Sequence, residues 1–196
     1  MSKFKTTVYG TILLYSLVLI PHVHAQDDFY AGLGLGQAKS DACDIDRPCD
    51  DKSTAWKGLI GYNFSDNFAV ELNYHDLGTF TGSEPSFDAK TELDVTLYSL
   101  LLVGSIDITD DFAIFGKLGT AEWSSDAKLI QPVAGDRYKD DGNGMTYALG
   151  VSWNFIQNQQ FSLNWQTYDI EIEGILPIID ETADTDAISL VYTLSF

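Results

Sequence analysis

Three side chains in this sequence are of the types that perform acid–base and nucleophilic chemistry: His75, Asp76 and Ser83. A histidine that moves protons and a serine hydroxyl that attacks a carbonyl carbon are the groups that an acyl-transfer site requires. His75 is the only histidine beyond residue 25, and no serine stands two residues away from it in its predicted strand. We therefore expect His75 to pack near the end of a strand, and we predict no catalytic residues.

The two cysteines of the chain lie close together, at Cys43 and Cys49. A metal site would need further thiols or a nearby histidine. In an exported protein, two cysteines at this short spacing instead predict a disulfide that closes a small loop.

Export is indicated by the first 25 residues, which have the pattern of a secretory signal peptide. Lys3 and Lys5 give a basic start, an apolar run spans Val8 to Ile20, and Ala25 ends a small-residue cleavage pattern. That run is shorter than the ~20 residues that a transmembrane helix needs, and no later run approaches this length. We predict a signal peptide at 1–25 and one domain at 26–196.

Acidic residues outnumber basic ones by 29 to 11, which gives a net charge of −18. The chain without residues 1–25 would carry 9 − 29 = −20, because Lys3 and Lys5 are lost and every acidic residue remains. This charge would repel the phosphates of nucleic acid, which excludes that partner. Carboxylates between the strands would keep loops soluble and could attract calcium or magnesium. The segment from Asp136 to Gly142 lacks EF-hand spacing, so we predict no metal site and no cofactor.

Alternation of apolar residues with small or polar ones predicts eight β-strands, because successive side chains of a strand point to opposite faces. They cover about residues 28–38, 55–64, 68–75, 92–106, 112–123, 144–155, 161–172 and 185–196. The strand at 92–106 is apolar on both faces. In it we expect Tyr98, Leu100, Leu102 and Ile106 to point outward.

Long and short connections alternate along the chain, so an up-and-down barrel would collect all short turns at one end. Outer-membrane barrels have this asymmetry, with short periplasmic turns and longer extracellular loops. A soluble barrel would have polar residues outside and apolar residues inside. If the small and polar face were the core here, little apolar area would be buried. We therefore predict an all-β fold, an eight-stranded antiparallel up-and-down transmembrane β-barrel with apolar residues outside and polar or small residues inside.

Several stretches resemble the OmpA-like transmembrane β-barrel family of small outer-membrane proteins. They are Tyr30 to Gly36, Val70 to Gly78 and Ile108 to Gly119. The terminal strand, with Tyr192, Leu194 and Phe196, is similar to the recognition signal for the barrel-assembly machinery. The resemblance implies location in the cell outer membrane, and we expect the barrel domain alone, without the peptidoglycan-binding domain that many members carry.

The resemblance also implies a cluster of acidic and basic side chains inside the barrel, and Glu71 and Lys117 match two of its positions. Both lie on predicted inward faces, and their heights differ by about two residues, or ~7 Å of rise. Since buried charges must be paired, we predict an interior ion pair. The alternative is two solvated charges in a wet interior. Ser152 and Ser162 stand where the family pattern has a second acid–base pair, which argues against a gated ion path.

These observations predict a non-enzymatic outer-membrane barrel that supports envelope integrity or surface interaction through acidic extracellular loops. We expect a monomer that contacts outer-membrane lipid and lipopolysaccharide, with divalent cations as bridges, and that uses the barrel-assembly machinery. The alternative is a narrow, low-conductance, porin-like channel. An enzyme that modifies lipid A is a further, less favoured alternative.

Overall fold

Nine β-strands make up nearly all of the chain that a computed structural model describes, which is residues 28–40, 49–50, 52–84, 89–131, 137–171 and 182–196. The strands are β1 Phe29–Ser40, β2 Cys49–Asp50, β3 Lys52–Ser65, β4 Phe68–Glu84, β5 Ala89–Asp107, β6 Phe112–Gln131, β7 Arg137–Ile156, β8 Gln159–Glu171 and β9 Thr182–Ser195. No helix among these residues is long and apolar enough to cross a membrane. The predicted signal peptide lies outside the described residues.

Eight of these strands form a closed antiparallel barrel, which confirms the predicted fold. Each long strand pairs with the next, and β9 returns to β1 in a register that runs from Tyr30↔Ser195 to Ser40↔Thr185. Closure removes the free edge that an apolar terminal strand would otherwise present. The two-residue β2 was not predicted; it pairs with β4 outside this cycle.

Several strands extend further toward the long-loop end than the sequence indicates. Strand β4 was predicted to end at residue 75 but continues to Glu84, and β6 continues to Gln131 rather than 123. Asp140 and Asp141 belong to β7, although they were assigned to a loop. In these extensions the outer face becomes polar, so the apolar–polar alternation disappears while the backbone ladder continues.

The outward direction of the apolar residues is confirmed, including that of the ambiguous strand β5. Tyr98, Leu100, Leu102 and Ile106 are 59%, 55%, 52% and 65% exposed on the outer surface of the barrel. Leu97 and Leu101, which alternate with the outward residues, are each 1% exposed. A wide apolar outer surface is thus formed by residues that would be buried in a soluble protein.

The interior differs from the expectation of small and polar side chains alone. Its half nearer the long loops is filled by an apolar plug, defined here as Leu77, Phe80, Leu97, Trp123 and Tyr168. A register shift between Asp76 and Thr79, with Gly78 at φ +76°, allows both Leu77 and Phe80 to point inward. Strict alternation would have placed these two residues on opposite faces.

Candidate functional site

A buried ion pair occupies the barrel interior. Lys117 Nζ lies 2.8 Å from Oε1 and 2.7 Å from Oε2 of Glu71, and the two side chains are 5% and 4% exposed. Tyr30 donates its hydroxyl hydrogen to Glu71 Oε1 at 3.0 Å, and Asn73 Nδ2 lies 3.4 Å from Oε2. Each carboxylate oxygen therefore has two donors, as a charge removed from water requires.

The structure brings together the two residues that sequence analysis paired. Strand β5 lies between β4, which carries Glu71, and β6, which carries Lys117. In the register of the sheet, Glu71 is opposite Leu101 and Lys117 is opposite Val103. This offset equals the predicted difference in height, which is two residues. The long side chain of Lys117 covers this offset and reaches across β5 to Glu71.

A second buried cation, Lys57, shares the interior, although sequence analysis included only Glu71 and Lys117 in the cluster. Its side chain is 1% exposed, and its Nζ lies 3.4 Å from Gln166 Oε1. Gln166 Nε2 in turn donates to Thr146 Oγ1 at 3.1 Å, and that hydroxyl donates to the carbonyl of Thr167 at 2.8 Å. The sequence signal that could have identified this contact is a lysine at an inward-facing position, because a buried cation must have polar partners.

The candidate acid–base residues do not form a common site. His75 is buried, and its Nδ1 forms a hydrogen bond with the hydroxyl of Tyr168, part of the apolar plug. Asp76 lies on the outer face, where its carboxylate accepts from Trp56 Nε1 at 3.2 Å and from the backbone N–H of Gly78 at 2.9 Å. The side chain of Ser83 lies outside the described part of the structure.

The remaining predicted residues lie at three separate places. Ser152 and Ser162 face each other across β7 and β8 on the inner surface, and Ser162 Oγ accepts from Asn164 Nδ2 at 3.1 Å. Tyr192, Leu194 and Phe196 lie on the outer face at the end of β9, where the backbone N–H of Phe196 donates to the carbonyl of Phe29 at 2.8 Å. Their role in barrel assembly stays a prediction. The Cys43–Cys49 disulfide also stays a prediction, because Cys43 and the side chain of Cys49 lie outside the described residues.

Comparison with known proteins identifies relatives of this barrel. A sequence model of the family described as OmpA-like transmembrane domain matches residues 24–176. Among curated proteins, none matches the sequence.

Solved structures show the same fold at low sequence identity. Ail, the attachment invasion locus protein of Yersinia pestis, is 13% identical with a TM-score of 0.54, covering 86% of this chain and 99% of that chain. The N-terminal β-barrel domain of Pseudomonas aeruginosa OprF is 10% identical with a TM-score of 0.54, covering 86% and 98%. OprG from Pseudomonas aeruginosa is 17% identical with a TM-score of 0.54, covering 88% and 95%.

The ion pair predicts a large stability cost for removing one of its partners. Lys117→Met would leave the Glu71 carboxylate buried without its counter-ion, and we expect the free energy of unfolding to fall by about 3–5 kcal/mol. The measurement is urea unfolding of the protein folded into phospholipid vesicles, followed by tryptophan fluorescence.

Lys139→Met is the matched control, because Lys139 is exposed and its Nζ lies 3.6 Å from Asp126 Oδ2. We expect this change to lower the free energy of unfolding by roughly 0–1 kcal/mol. Equal losses for the two variants would show that the interior pair contributes no more than an exposed one.

Proposed function

The chain belongs to the OmpA-like transmembrane domain family and is an outer-membrane β-barrel protein, and from this premise we propose a non-conducting, non-enzymatic role in the cell envelope. Its acidic outer end makes contacts at the cell surface, with lipopolysaccharide as the nearest available partner. The barrel itself serves as the anchor that holds this surface in the membrane.

The observation that carries this proposal is the apolar plug across the half of the bore nearer the long loops. An eight-stranded barrel is just wide enough to be filled by its own side chains. Leu77, Leu97 and Tyr168 are each no more than 1% exposed in this filling. A hydrophobic constriction excludes water and therefore resists the passage of ions. The buried pair of Glu71 and Lys117 closes the bore at a second level.

The proposal of surface contact is supported by acidic side chains toward the long-loop ends of the strands. Asp94, Glu122, Asp141 and Asp169 are all exposed there. Carboxylate oxygens are the ligands that calcium and magnesium prefer, and these ions also bind phosphate. Divalent cations shared between these carboxylates and the phosphates of lipopolysaccharide would join the protein to the outer leaflet.

A low-conductance channel is the second candidate. Its support is the set of polar groups inside the barrel, in which Glu71 and Lys117 form one pair and Lys57 approaches Gln166. Conduction would require the apolar plug to move, because these polar groups do not replace it. Among the described residues, no arrangement favours catalysis to a similar degree, since His75 and Asp76 point to opposite faces of β4.

Planar-bilayer recording distinguishes the two candidates. We expect the folded wild-type protein to give no stepwise current, because the apolar plug keeps water out of the bore. Truncating the plug with Leu97→Ala and Trp123→Ala together should produce measurable steps. The matched control is Leu163→Ala with Trp165→Ala on the outer surface, which should give none. Wild-type steps whose conductance changes in Glu71→Ala would instead support the channel.

The surface contact is tested by neutralising Asp94, Glu122, Asp141 and Asp169 together. We expect magnesium-dependent binding to lipopolysaccharide vesicles to weaken by about tenfold, because each exposed charge pair contributes roughly 0.2–1 kcal/mol. The matched control neutralises four exposed acids at the short-turn end, which are Asp66, Asp107, Asp110 and Asp111. Equal weakening in both variants would contradict a contact made by the outer end.

A further inference from the structure

The short-turn end of the bore contains an open cavity of about 560 Å³, here called the vestibule. Its inner end is formed by Tyr30, Glu71 and Lys117, and its walls include the inward-facing Ser152 and Ser162. Sites for small molecules have volumes of ~300–1,000 Å³, so the vestibule is large enough to hold a compact ligand.

The vestibule is closed at its inner end and open at the other. The ion pair of Glu71 and Lys117 separates it from the rest of the bore, and the apolar plug fills the half beyond. Its mouth lies among the short turns, which face the periplasm in outer-membrane barrels. A ligand would therefore enter and leave from the periplasm without crossing the membrane.

The charge of the vestibule selects for cations. Asp66, Asp110 and Asp111 line its mouth, while the charge of Lys117 inside is balanced by Glu71. No lysine or arginine occurs among the described residues of this end, namely 28–30, 62–69, 104–114, 153–162 and 193–196. The lining thus carries a net charge of −3, from four acids and one lysine. A cavity lined by one sign of charge concentrates ligands of the other sign.

The aromatic lining favours an organic cation over a hydrated metal ion. Phe115 lines the vestibule and already accommodates a cation, because Lys117 Nζ lies 5.0 Å from the centre of its ring. An ammonium group is attracted to the face of an aromatic ring, and its methylene groups gain from apolar contact. The described residues contain no group of three or more His, Cys, Asp or Glu side chains placed to hold a metal ion.

We propose that the vestibule is a periplasm-facing binding site for small organic ammonium ions. One ammonium group pairs with the carboxylates of the mouth, and the alkyl part lies along the ring of Phe115. The amide oxygen of Asn154, which also lines the cavity, accepts from Gln160 Nε2 at 3.0 Å and has a second lone pair for the ligand. The site does not depend on conduction or on contacts at the outer surface, so its test is separate from those of the proposed function.

The test is calorimetric titration of the full-length processed protein, folded in uncharged detergent micelles, with putrescine as the probe. We expect saturable binding to the wild type. Asp110→Asn with Asp111→Asn should weaken it at least fivefold. Ser152→Phe, which fills the vestibule without changing its charge, should abolish it. The matched control, Glu122→Gln with Asp141→Asn, removes two exposed acids at the long-loop end and should leave binding unchanged.

Three results would overturn the proposal: no binding to the wild type, equal weakening by both pairs of acid substitutions, or undiminished binding to folded Ser152→Phe. Heat-modifiable gel migration shows whether that variant has folded. If it has not, amide chemical shifts of the isotope-labelled wild type decide the question. Putrescine should shift the amide signals of Ser152, Ser162 and Thr193 and leave that of Glu122 unchanged; the opposite pattern would place the ligand elsewhere.

Discussion

Every peptide group that lies in hydrocarbon must find its hydrogen-bond partner within the protein, because no water is available there. A sheet meets this requirement only when it closes, and here β9 closes it by pairing with β1 along eleven residue pairs. When the sheet closes with apolar side chains outside, the alternate side chains point inward and line a narrow bore. The buried pair of Glu71 and Lys117 and the exposed apolar row on β5 are two consequences of this one constraint.

The two halves of the bore are stabilised by different interactions. Near the short turns, charged and hydroxyl side chains surround a cavity and satisfy one another, as Tyr30 does for Glu71. Near the long loops, Phe80, Leu97 and Trp123 pack as the core of a soluble protein would. The outer acidic surface and the periplasmic vestibule therefore belong to opposite ends of a closed tube. The partners that we propose for the two ends would therefore bind without communication through the bore.

The sequence predicted those parts of the fold in which lipid imposes a period of two. The outward row on β5 is the clearest example, because Tyr98 and Ile106 were placed correctly in a strand that is apolar on both faces. The extension of β4 to Glu84 could not be predicted, since the outer face becomes polar once the strand leaves hydrocarbon and the apolar–polar alternation is lost. The apolar plug was missed for a different reason. The backbone irregularity at Gly78 reverses the face to which Phe80 points. The alternating pattern of the sequence does not indicate such a register shift.

The interior site was predicted in part. Glu71 and Lys117 were paired because resemblance to a family and inward facing pointed to the same two positions. The polar contact of Lys57 was not predicted, because its partner, Gln166, is distant in sequence and lies across the barrel. Partners of this kind follow from the diameter and tilt of the closed sheet rather than from any local pattern. Long-range hydrogen bonds across a bore are therefore beyond the reach of a single sequence.

The central claim is that apolar residues of the alternating pattern face lipid while the other face is enclosed, and tryptophan fluorescence tests it most directly. Trp153 and Trp165 are 46% and 39% exposed on the outer surface, whereas Trp123 is 3% exposed inside. Variants that keep one of these three tryptophans, with phenylalanine at the other tryptophan positions, would be folded into vesicles of phospholipid with brominated acyl chains. Strong quenching of Trp153 and Trp165 with little quenching of Trp123 is the predicted result. Quenching of Trp123 as strong as that of Trp165 would contradict the account.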